Sequence, residues 1–335
     1  MQFSEAEIQV LASLQRADLE DTPTDRATLD EGGARYWIFR EDWSGAWDSL
    51  LTKGLIAGDA NGYQLTVAGR PEAEHFYAER PDHFWYYYQH FYPRADASKA
   101  HSQLCERVFG ADHCQEGQTD MACFDDLLDF LQLKPGDTLL DLGCGAGGLA
   151  EYASDRTGAH VTGIDYSVSA VDTANARTAT KRDRVNFLQA DMNTLAMPPG
   201  SFDAAFSLDT LYWLADVEQS LADIVRLLKP GGRLGIFVAV PLADCDGPEE
   251  LEADATWVAT ALNALDRPYS VHDYTEPFLS FWPRMKAVVE ELRPVFAAEG
   301  NDFICEALLK DADEDYLPAA ADDGLKRYLY IVRKP

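Results

Sequence analysis

The run Thr138–Gly148, "TLLDLGCGAGG", constrains the fold more than any other stretch. An apolar strand pattern over Thr138–Leu142 runs straight into Gly143-Cys144-Gly145-Ala146-Gly147-Gly148, and a helical pattern follows. Glycines there let the backbone turn sharply and let a ligand come close to the main chain. The spacing is literally G-x-G-x-x-G, which suits a pyrophosphate at a helix N-terminus. Asp141 argues for another ligand. A carboxylate directly before the turn suits a cationic group better than a pyrophosphate.

From about residue 126 to 240, short apolar runs alternate with helical stretches: "DTLLDLG", "AHVTGIDY", "VNFLQAD", "FDAAFSL" and "GRLGIFVAV". That alternation predicts βαβ units and a parallel sheet. The strand ends carry chemistry. "HVTGIDYS" ends at Asp165, placed to accept two hydroxyl protons from a ribose. "VNFLQADMNTL" ends at Asp191-Met192, suited to an adenine amine and an apolar ring contact. Residues 242–298 read as helical and aromatic without a strand, and "NDFICEALLK" and "KRYLYIVRK" read as two late strands.

In this order the motifs resemble those of class I S-adenosylmethionine-dependent methyltransferases. "DLGCGAGG" is similar to the first motif, "GIDYS" to the acidic second, "QADMNTL" to the third, and "LLKPGGRLGIF" to the turn and strand after the fourth. The resemblance covers roughly residues 120–240 and the last two strands. It implies an α/β fold: a Rossmann-like, seven-stranded, mostly parallel sheet with helices on both faces. It also implies S-adenosyl-L-methionine as cofactor. Asp141, Gly143 and Gly145 would line its methionine part, with Cys144 in the same turn. Asp165 would bind the ribose hydroxyls, with Tyr166 near the adenine. Asp191 would meet the adenine amine, Met192 would flank the ring, and Leu208 would offer its backbone. Gly147 and Gly148 read as helix–strand packing positions, Gly148 more so.

The first ~80 residues read as a separate small unit. "SEAEIQVLASLQRA" opens on a capping box, Ser4 with Glu7, and Asn61-Gly62 is a hairpin signal. Helix, wing and "LTVAG" together resemble a winged-helix domain over residues 1–75. Residues 1–80 carry seven Lys/Arg against fifteen Asp/Glu, which argues against phosphate contact. A dimerisation or lid module is the expectation, with a homodimer through this unit. Residues 81–125 read as a helical, aromatic cover, and 126–335 as the methyltransferase domain with a helical insertion at about 242–298.

The whole chain of 335 residues has a formal net charge of −29. Such a surface repels nucleic-acid backbones and anionic membranes. No apolar run is long enough to span a bilayer. The start lacks the basic flank and apolar block of a signal peptide, and the six cysteines form no CxxC pair. A cytoplasmic setting is expected, with no metal.

No Asn/Asp-Pro-Pro-Tyr/Phe and no Pro-Cys follows the fourth strand; "SLDTLYW" stands there instead. A small-molecule acceptor fits best, methylated at N, O or S by in-line displacement. Alternatives are a winged-helix regulator that senses S-adenosylmethionine and a protein methyltransferase. Catalytic candidates are Asp209 and Tyr212 after the fourth strand, and Tyr88 and His90 in "DHFWYYYQHFYPR", with His101 nearby. Tyr88, Tyr92, Tyr212 and Trp213 are candidates for the acceptor wall. Phe84 and Phe91 fall on a packing face of the same helical pattern.

Overall fold

The computed structural model describes residues 2–20, 22–27, 29, 40–79 and 85–335. It divides into two compact units, Met1–Phe91 and Tyr92–Pro335.

In the first unit the described residues include helices Glu5–Glu20, Arg40–Thr52 and Arg70–Glu79 and a hairpin of β1 (Ile56–Asp59) and β2 (Gly62–Leu65). The capping box closes in both directions. Ser4 N donates to Glu7 Oε2 at 2.8 Å, and Glu7 N donates to Ser4 Oγ at 3.3 Å. Asp59 pairs with Gly62, so Ala60 and Asn61 form the hairpin tip and Gly62 is already in the strand. Asn61 N donates to Asp59 Oδ1 at 2.9 Å, an Asx turn that sets this register. Trp47 is fully buried and stacks on Tyr63 with centroids 4.4 Å apart. On the helix Trp85–Ala97, Tyr87 and Phe91 are buried and stacked at 5.4 Å. Phe84 lies outside the described residues.

The second unit is built on one seven-stranded sheet, ordered β5-β4-β3-β6-β7-β9-β8. Its strands are β3 (Thr138–Leu142), β4 (His160–Asp165), β5 (Val185–Gln189), β6 (Phe202–Leu208), β7 (Leu228–Pro241), β8 (Tyr269–Asp273) and β9 (Leu325–Arg333). The pairs from β5 through β7 are parallel; β9 runs antiparallel to both β7 and β8. This is the expected Rossmann-like, mostly parallel sheet. Each strand feeds both faces with period two. Leu140, Leu142, Ala205, Leu234, Ile236, Tyr328 and Tyr330 pack on one side. Leu139, Val161, Ala204, Phe206, Phe237 and Leu329 pack on the other. Burial on both faces explains why the parallel strands read as continuous apolar runs. Fully burying one such leucine contributes about 1.5–3 kcal/mol.

Two elements differ from the sequence reading. "NDFICEALLK" is a helix, Asp302–Lys310, not a strand. Its buried Ile304, Cys305, Leu308 and Leu309 recur at helical spacing, and Glu306 to Leu309 are strong helix formers. The missing strand is β8, inside the stretch expected to hold none. It is an edge strand of five residues, none fully buried, paired only with β9. A half-polar run of that length carries little periodic signal. Residues 92–125 also pack with the sheet unit, supplying helices Lys99–Val108 and Met121–Leu131.

Candidate active site

β3 lies between β4 and β6, so the chain leaves its carboxyl end where the strand order reverses. Ligands of open α/β sheets bind at such points. The glycine turn is tied down from β4. Gly143 N and Cys144 N both donate to Ile164 O at 2.9 Å. Gly145 N donates to Asp165 Oδ2 and Ser167 N to Asp165 Oδ1, each at 2.9 Å. Asp165 is 7% exposed.

Asp141 is 4% exposed, and its carboxylate makes no hydrogen bond among the described residues. Burial first, and then the Asp165 charge, push its carboxyl well above the usual range. Cys144 is buried, and burial likewise pushes its thiol up. The six cysteines are free thiols.

Close approaches explain the glycines. Gly145 has φ +51°, and a Cβ there would stand 2.7 Å from Tyr92 Cε1 and 2.9 Å from Tyr92 Oη. The Tyr92 ring therefore covers the turn. Gly147 faces Phe187 and Ala174, which is helix–strand packing. At Gly148 a Cβ would meet the His113 carbonyl, so Gly148 admits the loop between Val108 and Met121 instead. Gly145→Ala is expected to lower stability by about 1–3 kcal/mol through overpacking. In a Tyr92→Ala background the same change should cost less. Denaturant midpoints of the single and double variants check this; equal loss in both would remove the contact as the cause.

Further along the same edge, Asp191 caps a short 3-10 turn, Met192–Thr194, and accepts from Asn193 N at 2.8 Å. Met192 packs partly on the core. The Tyr166 carbonyl accepts from Gln189 Nε2 at 3.2 Å. Leu208 ends β6, partly buried.

Asp209 follows it at φ +57°, a left-handed conformation that aspartate tolerates. Its carboxylate faces inward to Arg327. Arg327 Nη1 donates to Oδ1 at 2.6 Å and Nη2 to Oδ2 at 2.9 Å, a two-pronged ion pair. Gln118 N and Thr119 Oγ1 each donate to Oδ2 at 3.1 Å, and Tyr212 Oη to Oδ1 at 3.3 Å. Arg327 is 1% exposed, its guanidinium 4.7 Å from the Phe278 ring centroid. Tyr212 Oη accepts from Ala239 N at 2.6 Å. Burial, then Asp209, push its phenol well above the ordinary value. Trp213 is 37% exposed in the turn after β6.

Tyr88 and His90 are half-buried and belong to the first unit. His101 is buried, its ring Nδ1 3.6 Å from Cys105 Sγ, and burial drops its pKa to about 4. That is a packing histidine. Sequence reasoning missed Gln118, Thr119, Tyr316 and Arg327. One signal existed for Arg327: it shares strand parity with Leu325 and Leu329, an inward charge in an apolar row.

Comparisons agree with this geometry. Residues 140–236 match the family described as "Methyltransferase domain". The chain is 36% identical over 209 residues to a phosphoethanolamine N-methyltransferase of Triticum aestivum, covering 58% of this chain and 41% of that one. It is 38% identical over 154 residues to the 27-O-demethylrifamycin SV methyltransferase of Amycolatopsis mediterranei (strain S699), covering 45% and 55%. The chain thus spans about half the length of these curated relatives. A solved structure of phosphoethanolamine N-methyltransferase 2 of Haemonchus contortus, in complex with phosphomonomethylethanolamine and S-adenosylhomocysteine, superposes with TM-score 0.60 at 22% identity. It covers 74% of this chain and 60% of that one. At that identity it speaks for the fold. Sheet order, glycine turn and family match converge: the chain carries a class I S-adenosylmethionine-dependent methyltransferase domain.

Proposed function

We propose that the chain transfers the methyl group of S-adenosylmethionine to a small-molecule acceptor at N, O or S, with an amine first among them. The observation that carries this reading is Asp141. It is a buried carboxylate without a partner among the described residues, set behind a glycine turn at the switch point. Burying such a group is costly until a cation compensates it. The cofactor is a cation at two places, its sulfonium and its ammonium, and so fits. Asp141, Gly143, Cys144 and Gly145 would hold its methionine part. Asp165 and Tyr166 would serve the ribose and adenine, Asp191 and Met192 the adenine, and Leu208 would offer its backbone. When bound, the cofactor supplies a methyl group already activated on sulfur. The protein's work is then alignment and exclusion of water.

Neither Asp209 nor Tyr212 is poised as a base. The first is spent on Arg327, and the second is held neutral. An acceptor that brings a free lone pair needs neither. That favours a neutral amine or a thioether over a phenol. The acceptor lone pair would form the new bond to carbon as the carbon–sulfur pair returned to sulfur, and a product ammonium would pass any proton it loses to water. The Triticum aestivum relative, named for an N-methylation, supports the amine; the rifamycin relative is named for an oxygen.

Tyr88, Tyr92, Tyr212 and Trp213 belong to this same reading, as candidate acceptor-wall positions. For Met1–Phe91, a winged-helix-like dimerisation or lid module in a cytoplasmic enzyme is the accompanying proposal, which sedimentation of the full chain tests. Among the described residues no helix is long and apolar enough to cross a membrane.

The direct test is release of S-adenosylhomocysteine across a panel of amines, phenols, acids and thioethers. Turnover is expected with amines. Confirmed cofactor binding without turnover in any class would remove this function.

A further inference from the structure

The polar network around Asp209 consumes most of its own donors and acceptors. Arg327, Thr119 Oγ1, Gln118 N and Tyr212 Oη all meet the Asp209 carboxylate. Arg327 Nη2 also donates to Thr119 Oγ1 at 2.6 Å. Two polar atoms beside this network have no partner among the described residues. One is Gln118 Oε1, the other Trp282 Nε1. They are linked through one side chain. Gln118 Nε2 donates to Tyr316 Oη at 2.6 Å, and the Tyr316 ring lies flat on the Trp282 indole, centroids 4.3 Å apart and planes 7° from parallel.

The setting of this trio is unusual for polar atoms left over in a fold. Tyr316 closes a π-helical turn, Asp311–Tyr316, a geometry frequent at functional sites. Gln118 is fixed through its backbone to Asp209, directly after β6, and β6 lies on the side of the switch point away from Asp165. A buried carbonyl oxygen without a donor costs free energy, and natural folds retain few of them without a reason. Gln118 is neutral, so it adds no charge that would repel a cationic product.

We infer that Gln118 Oε1, backed by Tyr316, is the acceptor-recognition group of the enzyme and takes an N–H of a primary or secondary amine. This rests on the methyl-transfer reading above and names its substrate class. A nitrogen held by one N–H keeps its lone pair free for the methyl carbon. A thioether or a quaternary ammonium has no N–H to give and gains nothing from Gln118. The Tyr316 hydroxyl, bonded to Nε2, holds the Gln118 amide in place.

The test uses the full chain and separates binding from turnover. Calorimetry measures the binding of primary and secondary amines, of quaternary ammonium ions and of thioethers to the protein saturated with S-adenosylhomocysteine. Gln118→Leu is expected to weaken primary and secondary amines about tenfold. Affinity for S-adenosylhomocysteine and for thioethers should stay within about twofold. Tyr316→Phe keeps the stack on Trp282, removes the hydroxyl, and should give a smaller loss of the same selectivity; it also serves if Gln118→Leu fails to fold. Equal loss for donor-bearing and donorless ligands overturns the inference, as does no loss at all, or no amine binding by the parent protein. Amine binding that depends on Gln118 but is never followed by methyl transfer would sustain the anchor and overturn the methyl-transfer reading.

Discussion

Asp141→Asn is expected to weaken S-adenosylmethionine binding by about ten- to hundredfold, the worth of a charge-assisted contact in a buried place. The residue sits 4% exposed at the end of β3, and nothing among the described residues pairs with its carboxylate. Burial and the nearby Asp165 raise its folded pKa well above the ordinary carboxylate value, which is about 3.9 in an unfolded chain. The sign follows from proton linkage. The folded, cofactor-free protein binds this proton more tightly than the unfolded chain does. Its stabilising contribution is complete below about pH 3.9 and is lost as pH rises through the folded value. A bound cation reverses the preference and favours the ionised form, so cofactor affinity should rise with pH over the same window. Asp141→Asn should flatten both trends. Melting temperatures without cofactor and calorimetric affinities, each followed from pH 4 to 8, read them. A variant with the parent's affinity and the parent's pH slope would show that Asp141 is not where the cation goes.

How much of this was written in the sequence depends on how local each signal is. The glycine turn, the strand end at Asp165, Asp191 just past β5 and the alternation of strands and helices are local, and they place the sheet and its carboxyl edge directly. The capping box at Ser4 is local as well. What stayed hidden is what the chain assembles from distant pieces. Asp209 reads as a free acid because its partner is Arg327, 118 residues on. Gln118 reads as an ordinary loop polar residue because Tyr316 is 198 residues away. β8 escaped because an edge strand needs only one apolar side, and its short half-polar run is stabilised by β9 rather than by its own pattern. The aromatic run before the sheet divides in the same way. Tyr87 and Phe91 show the packing face that periodicity marks, whereas the position of Tyr92 against Gly145 arises only in the fold.

Arg327→Met should be the most destabilising single change in the site, by about 3–5 kcal/mol, because it strands the buried Asp209 carboxylate without its cation. Both side chains are at most 4% exposed, and the pair is joined by two hydrogen bonds. Arg327→Lys is not a conservative escape. A single ammonium lacks the fork that meets both carboxylate oxygens and Thr119 at once. The double variant Asp209→Asn/Arg327→Met removes both charges and should be more stable than Arg327→Met alone. Urea unfolding of the two single variants and the double gives the coupling directly. The pair also joins three separate segments: the loop at Gln118 and Thr119, the turn after β6, and the start of β9. Loosening it should therefore let Gln118 drift, and the double variant should show a raised KM for an amine acceptor while affinity for the cofactor holds. Purely additive single-variant losses would reduce the pair to two independent packing residues. An unchanged amine KM in the double variant would separate the pair from acceptor recognition.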